Sequence, residues 1–161
     1  MLRDRLKGSR GEWYLVVQAV IFLLLGFGPR GYQLLPVWPY PYSLIATVSG
    51  VVLMLAGTLL ALAGTNNLGR NLTPLPKPKR DTFLVVTGAY ALVRHPIYSG
   101  LILFSFGLGF WLQSWLTLVY AILLLLFFDI KSRREEKWLV DVFPEYVAYR
   151  KRAKKLIPFI Y

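Results

Sequence analysis

The residues best suited to chemistry stand in two short runs. The first, Gly88-Ala89-Tyr90-Ala91-Leu92-Val93-Arg94-His95-Pro96-Ile97-Tyr98-Ser99-Gly100, holds the only histidine of the chain. Pro96 suits the first turn of a helix, where its missing N–H would be unsatisfied in any case. The amides of such a turn favour an anion, and Arg94 and His95 lie beside it. A plainer account makes Arg94 a membrane-edge anchor and His95 an interfacial cap. The second run is Arg133-Arg134-Glu135-Glu136. Two adjacent acids at a membrane edge can hold an ammonium group. The plainer account pairs them with Arg133, Arg134 and Lys137 in a solvated turn. If the fold brings the two runs together, an anion-favouring turn faces an acidic pair among aromatics, which suits a zwitterionic amino-acid moiety attached to a ring. The chain has no cysteine, so disulfides, zinc–thiolate sites and cysteine nucleophiles are excluded. One histidine also excludes a multi-histidine metal site within one chain, and no metal is expected.

The elements that must position these runs are apolar. Of 161 residues, 56% are hydrophobic and only 17% charged, against about 25% charged in a soluble domain. Three uncharged blocks stand out: Trp13 to Gly28, Leu44 to Gly64, and Ile97 to Phe128. A bilayer core takes roughly 20 residues of helix. The second block meets that directly, and the first meets it if Glu12 or the preceding turn extends it into the interface. Trp13 to Gly28 ends in Pro29-Arg30-Gly31 with no small-x-small cleavage site, so it reads as a retained span rather than a signal peptide. The third block is long for one span and short for two. Gln113-Ser114 interrupts it between Trp111 and Trp115, and tryptophans favour the membrane–water interface. A tight hairpin is predicted, with one helix from about Tyr98 to Leu112 and another from about Trp115 to past Asp129.

Charge placement supports four spans over three. Lysines and arginines collect in cytoplasmic segments. Every cation except Arg30 lies before the first block, between the second and third, or after Phe128. Only four spans put all three segments on one side. The expected architecture is an all-α integral membrane protein of the inner or plasma membrane, multi-pass, with N- and C-termini cytoplasmic. The net charge of +11 follows from that topology, so no nucleic acid is expected as a partner. The loop Thr73-Pro74-Leu75-Pro76-Lys77-Pro78 is proline-stiffened and extended. The tail sets Trp138, Leu139, Val142, Phe143, Tyr146, Val147 and Tyr149 at near-helical spacing, with Pro144 expected to break it. A basic amphipathic segment of this kind ordinarily lies on the membrane surface.

The motifs Gly88-x-Tyr90, Arg94-His95-Pro96-x-Tyr98-x-Gly100, Glu135-Glu136-x-x-Leu139, Phe143-x-x-Tyr146-x-x-Tyr149 and Leu156-x-Pro158-Phe159 occur in one order. With them, the stretch from Gly69 to Tyr161 resembles the catalytic half of the isoprenylcysteine carboxyl methyltransferase family, related to the phospholipid methyltransferases. The first two spans resemble it only in being hydrophobic. The chain looks like the compact prokaryotic type, a single domain over 1–161 with its catalytic half at 69–161.

The resemblance implies a membrane-embedded methyltransferase that uses S-adenosylmethionine. Its pocket would comprise Thr82, Phe83, Leu84, Val85, Tyr90, His95, Pro96, Ile97, Tyr98 and Glu135, with Glu135 taking the cofactor's amino group. Lys131 and Arg94 are the candidate catalytic residues. The family carries an arginine at the position of Lys131, four residues before the cofactor glutamate, to orient the acceptor's carboxylate. Lysine keeps the charge but loses bidentate geometry. Its stem is expected to run along the helix while the ammonium reaches the interface. The implied acceptor is lipid-like or isoprenoid-bearing, most simply a carboxylate, entering from the bilayer. Methylation of a phospholipid amine, a nicotinamide-dependent sterol reductase and a non-enzymatic membrane protein are the alternatives. The reductase would need a dinucleotide site, and the chain shows no glycine-rich fingerprint for one.

Overall fold

A computed structural model describes residues 11–31, 35–73, 75, 82–158 and 160–161. The basic segment before Gly11 and most of the proline-rich loop, Pro74 and 76–81, lie outside the described residues. The described residues hold six α-helices: α1 Glu12–Phe27, α2 Tyr42–Leu68, α3 Ala89–Leu92, α4 Pro96–Trp111, α5 Trp115–Val142 and α6 Tyr146–Arg152. A 3-10 turn, Gly69–Asn71, extends α2, and no named strand is present among them. The helix Tyr42–Asn71 and helix α5 are long and apolar enough to cross a membrane, and α1 and α4 are shorter apolar helices of 16 residues.

The hairpin falls where the sequence places it. Residues 112–114 separate α4 from α5, and Ser114 caps α5 by accepting the Thr117 N–H at 3.1 Å. Gln113 takes a positive φ of 52°. Its side-chain amide donates to the Ser43 carbonyl and the Thr47 hydroxyl of α2 at 3.3 and 3.2 Å. The turn is thereby pinned to α2 as well as closing α4.

Helix α2 packs on α4 through glycines seven residues apart. A Cβ at Gly50 would lie 2.7 Å from the Gly107 carbonyl, one at Gly57 2.5 Å from the Gly100 carbonyl, and one at Gly64 2.9 Å from Pro96 Cγ. The two backbones approach too closely for any side chain on that line. The outward face of α2, including Leu44, Ile45, Val48, Val52, Leu55 and Leu59, is exposed. Its threonines satisfy themselves within the helix. Thr47, Thr58 and Thr65 donate to the Ser43, Met54 and Ala61 carbonyls at 2.8–2.9 Å, as backbone-satisfied hydroxyls do in an apolar setting.

On the other side, α1 packs against α5. Tyr14, Ile21 and Leu25 of α1 join Ile102 of α4, Leu124, Phe127 and Phe128 of α5, and Leu156 in one buried cluster. The chain breaks at Pro144 as expected, α5 ending at Val142 and α6 starting at Tyr146. The aromatic face of α6 turns inward: Tyr146, Tyr149 and Ala153 pack on Leu84, Leu139, Val140 and Phe143.

Candidate functional site

The hairpin brings the start of α4 beside the far end of α5, and the chain's last residues tie the two together. Val93 and Lys154 form a parallel bridge. The Arg94 N–H donates to the Lys154 carbonyl at 2.7 Å and the His95 N–H to the Lys155 carbonyl at 3.2 Å. Ser99 Oγ lies 2.6 Å from the Leu156 carbonyl. Lys155 reaches Asp129 of α5 at 2.5 Å, and the Tyr161 hydroxyl donates to the same carboxylate at 2.8 Å. Pro96 opens α4, so the Ile97 and Tyr98 amides stand in the first turn, outside the intrahelical ladder.

The acidic pair divides. Glu136 is buried, its side chain 6% exposed. It accepts from Arg94 Nε at 2.7 Å, lies 3.2 Å from His95 Nε2, and sits 3.4 Å from Arg150 Nε. Arg94 also donates to the Arg150 and Ala153 carbonyls at 3.2 and 2.5 Å. Glu135 keeps 25% of its side chain exposed. Its Oε2 accepts from the Tyr98 hydroxyl at 2.8 Å and lies 3.8 Å from His95 Nδ1. The solvated-turn account of these acids does not hold: both sit within α5, and Arg133 pairs with Asp129 at 2.7 Å instead. The Tyr98 ring is stacked between His95 and Phe128, with centroids 5.3 and 4.4 Å away.

Lys131, one turn before Glu135, is 1% exposed. Its ammonium donates to the Gln18 amide oxygen of α1 at 2.7 Å and stands 5.2 Å from the Tyr98 ring centroid and 5.9 Å from that of Phe128. The expectation that the ammonium runs out to the interface is corrected here. A half-buried partner and two aromatic faces hold it inside the bundle.

These side chains open on one cavity of about 320 Å³, within the roughly 300–1,000 Å³ usual for small-molecule sites. Thr82, Phe83, Leu84, Val85, Tyr90, His95, Ile97, Tyr98 and Glu135 line it, as do Arg94 and Lys131. Pro96 does not; it is fully buried, and its ring sits against Gly64 of α2. The 82–89 segment is held by two asparagines at the end of α2. Asn71 donates to the Phe83 carbonyl at 2.7 Å, and the Ala89 N–H donates to Asn67 Oδ1 at 2.8 Å.

The sequence reading did not name Gln18, Leu68, Asn71, Leu72, Thr73, Leu101, Leu139, Phe143, Tyr146 or Tyr149 as site residues, yet they also line the cavity. Four of these carried a signal. Gln18 is an amide inside an apolar run, and Phe143, Tyr146 and Tyr149 recur at helical spacing. Burial raises the Tyr90, Tyr146 and Tyr149 phenols above their ordinary range, so all three stay neutral donors. Tyr149 donates to the Tyr90 carbonyl at 2.5 Å. The Tyr146 hydroxyl, on a residue 1% exposed, has no partner among the described residues.

A family model described as phospholipid methyltransferase matches residues 45–146. Among curated proteins, the Saccharomyces cerevisiae protein-S-isoprenylcysteine O-methyltransferase is 34% identical over 75% of this chain and 54% of its own length. The cobalt-zinc-cadmium resistance protein CzcN of Cupriavidus metallidurans is 31% identical over 92% of this chain and 62% of its own. Among solved structures, the eukaryotic intramembrane Ras methyltransferase ICMT (isoprenylcysteine carboxyl methyltransferase) matches with a TM-score of 0.64 and 25% identity, over 94% of this chain and 53% of that one. The chain thus spans about half the length of these two methyltransferases.

Proposed function

This chain belongs to the phospholipid methyltransferase family, and from that premise we propose that it is a membrane-embedded, S-adenosylmethionine-dependent methyltransferase. Its acceptor is a lipid-like or isoprenoid-bearing carboxylate. The observation that carries the reading is the split between two neighbouring acids. Glu136 is taken up by Arg94 and His95, while Glu135 faces the cavity with Lys131 one turn away on the same face of α5.

The residues present fit the cofactor. Glu135 offers a carboxylate to an ammonium, and Tyr98 fixes that carboxylate's direction. The first-turn amides of α4 favour the cofactor's carboxylate. Leu84, Leu139, Phe143 and Tyr149 make an apolar, aromatic wall for a heteroaromatic ring, and the Tyr146 hydroxyl among them, without a partner among the described residues, asks for an acceptor atom. When bound, S-adenosylmethionine would supply a sulfonium-activated methyl group, and an ionised carboxylate acceptor would have no proton to lose to the protein. The protein's part is then to align two reactants and exclude water. Arg94 acts as a positioning residue, tying Glu136 to the Arg150 and Ala153 carbonyls and so fixing the start of α4. Lys131 steers the acceptor's carboxylate and would repel a protonated amine. Helices α1, α2, α4 and α5 span the inner or plasma membrane, both termini lie in the cytoplasm, and α6 sits at the cytoplasmic surface. The catalytic half, 69–161, is completed by Gln18 and Leu68.

Purified protein in detergent should bind S-adenosylmethionine and not NADPH. It should methylate a prenylcysteine analogue in preference to phosphatidylethanolamine. Turnover of the amine alone would move it to phospholipid N-methylation, and binding of neither cofactor would leave a non-enzymatic membrane protein. Reporters fused at either end should report cytoplasm, and one inserted between α1 and α2 should report the opposite side.

A further inference from the structure

Helix α1 carries one amide side chain, Gln18, within an otherwise apolar run after Glu12. Tyr14, Ile21 and Leu25 on the same helix are buried, and Gln18 falls on their stripe at helical spacing. It therefore points at α5 and not at lipid. A polar group inside an apolar span is costly and ordinarily functional. Here it meets Lys131 at 2.7 Å, and both side chains line the cavity.

The chemistry of the pair fixes which way the amide faces. An ammonium has three donors and no acceptor, so the Gln18 oxygen must face Lys131. The amide nitrogen, bonded to the same carbon, is then presented beside the ammonium as a second donor. A lysine alone is a point charge without direction. With the amide next to it, the cavity wall offers two adjacent donor atoms, the arrangement that grips both oxygens of a carboxylate. We propose that Gln18 and Lys131 together form a two-point carboxylate receptor, with Gln18 the specificity-determining residue for the acceptor. The inference rests on the methyl-transfer reading of the same cavity and names what selects its substrate class: a carboxylate-bearing amphiphile reaches both donors, a neutral amide fills neither charge nor geometry, and a protonated amine is repelled.

The test uses the full chain in detergent with Gln18→Leu, Lys131→Arg and the double variant. A prenylcysteine analogue and its neutral carboxamide serve as probes. Losing one hydrogen bond to a charged group should raise the KM for the carboxylate about tenfold or more, while the dissociation constant of S-adenosylhomocysteine stays within about twofold and reports an intact fold. A guanidinium carries both donors itself, so Lys131→Arg should restore the KM of Gln18→Leu to within about threefold of wild type. Direct binding without cofactor gives a second readout: wild type should prefer the carboxylate over the carboxamide, and Gln18→Leu should lose that preference. An unchanged KM in Gln18→Leu, or an equal defect with and without Lys131→Arg, overturns the receptor and leaves Gln18 as packing. A wild-type protein that binds S-adenosylhomocysteine but not the carboxylate also overturns it. One that binds no S-adenosylhomocysteine overturns the methyl-transfer reading itself.

Discussion

Arg94 and Glu136, 42 residues apart in the chain, meet at 2.7 Å and so decide what the neighbouring Glu135 is free to do. The buried carboxylate is matched by two cations and a histidine-bearing turn, whereas Glu135 keeps one phenolic partner and an open side toward the cavity. Substituting each acid should therefore cost different things. Glu135→Gln keeps size and removes charge. It should weaken S-adenosylmethionine about ten- to hundredfold, as a charge-assisted hydrogen bond of about 1.5–3 kcal/mol implies, with little change in melting temperature. Glu136→Gln removes the counter-charge from Arg94, whose side chain is only 10% exposed, and should lower stability by about 3 kcal/mol. Calorimetric titration beside thermal unfolding separates the two, and equal small effects from both would overturn the division.

Tyr146 makes the opposite kind of prediction, a variant that stabilises the empty protein. A buried hydroxyl without a partner costs about 1–3 kcal/mol, and Tyr146 has none among the described residues. Tyr146→Phe should raise the apo melting temperature slightly and weaken S-adenosylhomocysteine about three- to tenfold. Unchanged affinity would show that no ligand atom meets the hydroxyl.

The α2–α4 seam can be tested by adding one methyl group. At Gly57 a Cβ would meet the Gly100 carbonyl at 2.5 Å and the Phe104 nitrogen at 2.6 Å, both backbone atoms that cannot rotate away. Gly57→Ala should destabilise by about 1–3 kcal/mol. Gly26 in α1 has nothing within 4 Å of its would-be Cβ, so Gly26→Ala should be neutral or stabilising by up to about 1 kcal/mol. Denaturant melts in mixed micelles give both values, and similar losses at the two sites would rule out close backbone approach as the cause.

How much of this was legible in the sequence follows from the range of the interactions. The hairpin was readable because Gln113-Ser114 breaks an apolar run between two tryptophans, a local signal. The arginine–histidine and double-glutamate runs stood out by residue type, but on spacing alone each also fitted a plainer account, and it was their order along the chain that carried the family resemblance. What each glutamate does was not readable from the residues themselves, since Arg94 and Arg150 reach Glu136 only after folding. Gln18 was overlooked because one amide barely alters the hydropathy of a span, and its meaning depends on Lys131, 113 positions away. Segment Tyr146–Arg152 reads as a surface helix by its charges, but its tyrosines turn inward to close the cavity because Leu84 and Phe143 offer them an apolar seat.

The last residues of the chain supply the final prediction. Asp129 of α5 holds Lys155 and Tyr161 through one oxygen and Arg133 through the other. The Lys155 ammonium is nearly buried, its side chain 8% exposed, while Arg133 is largely open at 65%. The backbone carbonyls of Lys154 and Lys155 in turn receive the Arg94 and His95 amides. Asp129 thus reaches the cavity through the strap it anchors, without lining it. Asp129→Asn should leave a buried cation without its counter-charge and free the strap at a cost of about 1–3 kcal/mol. Arg133→Ala removes only an exposed partner and should cost less than about 1 kcal/mol. Hydrogen exchange is the decisive readout. In Asp129→Asn the Arg94 and His95 amides should exchange faster than in wild type, and S-adenosylmethionine affinity should fall with them, whereas Arg133→Ala should change neither. Unaltered exchange at Arg94 and His95 in Asp129→Asn would mean that the turn before α4 holds its shape without the strap.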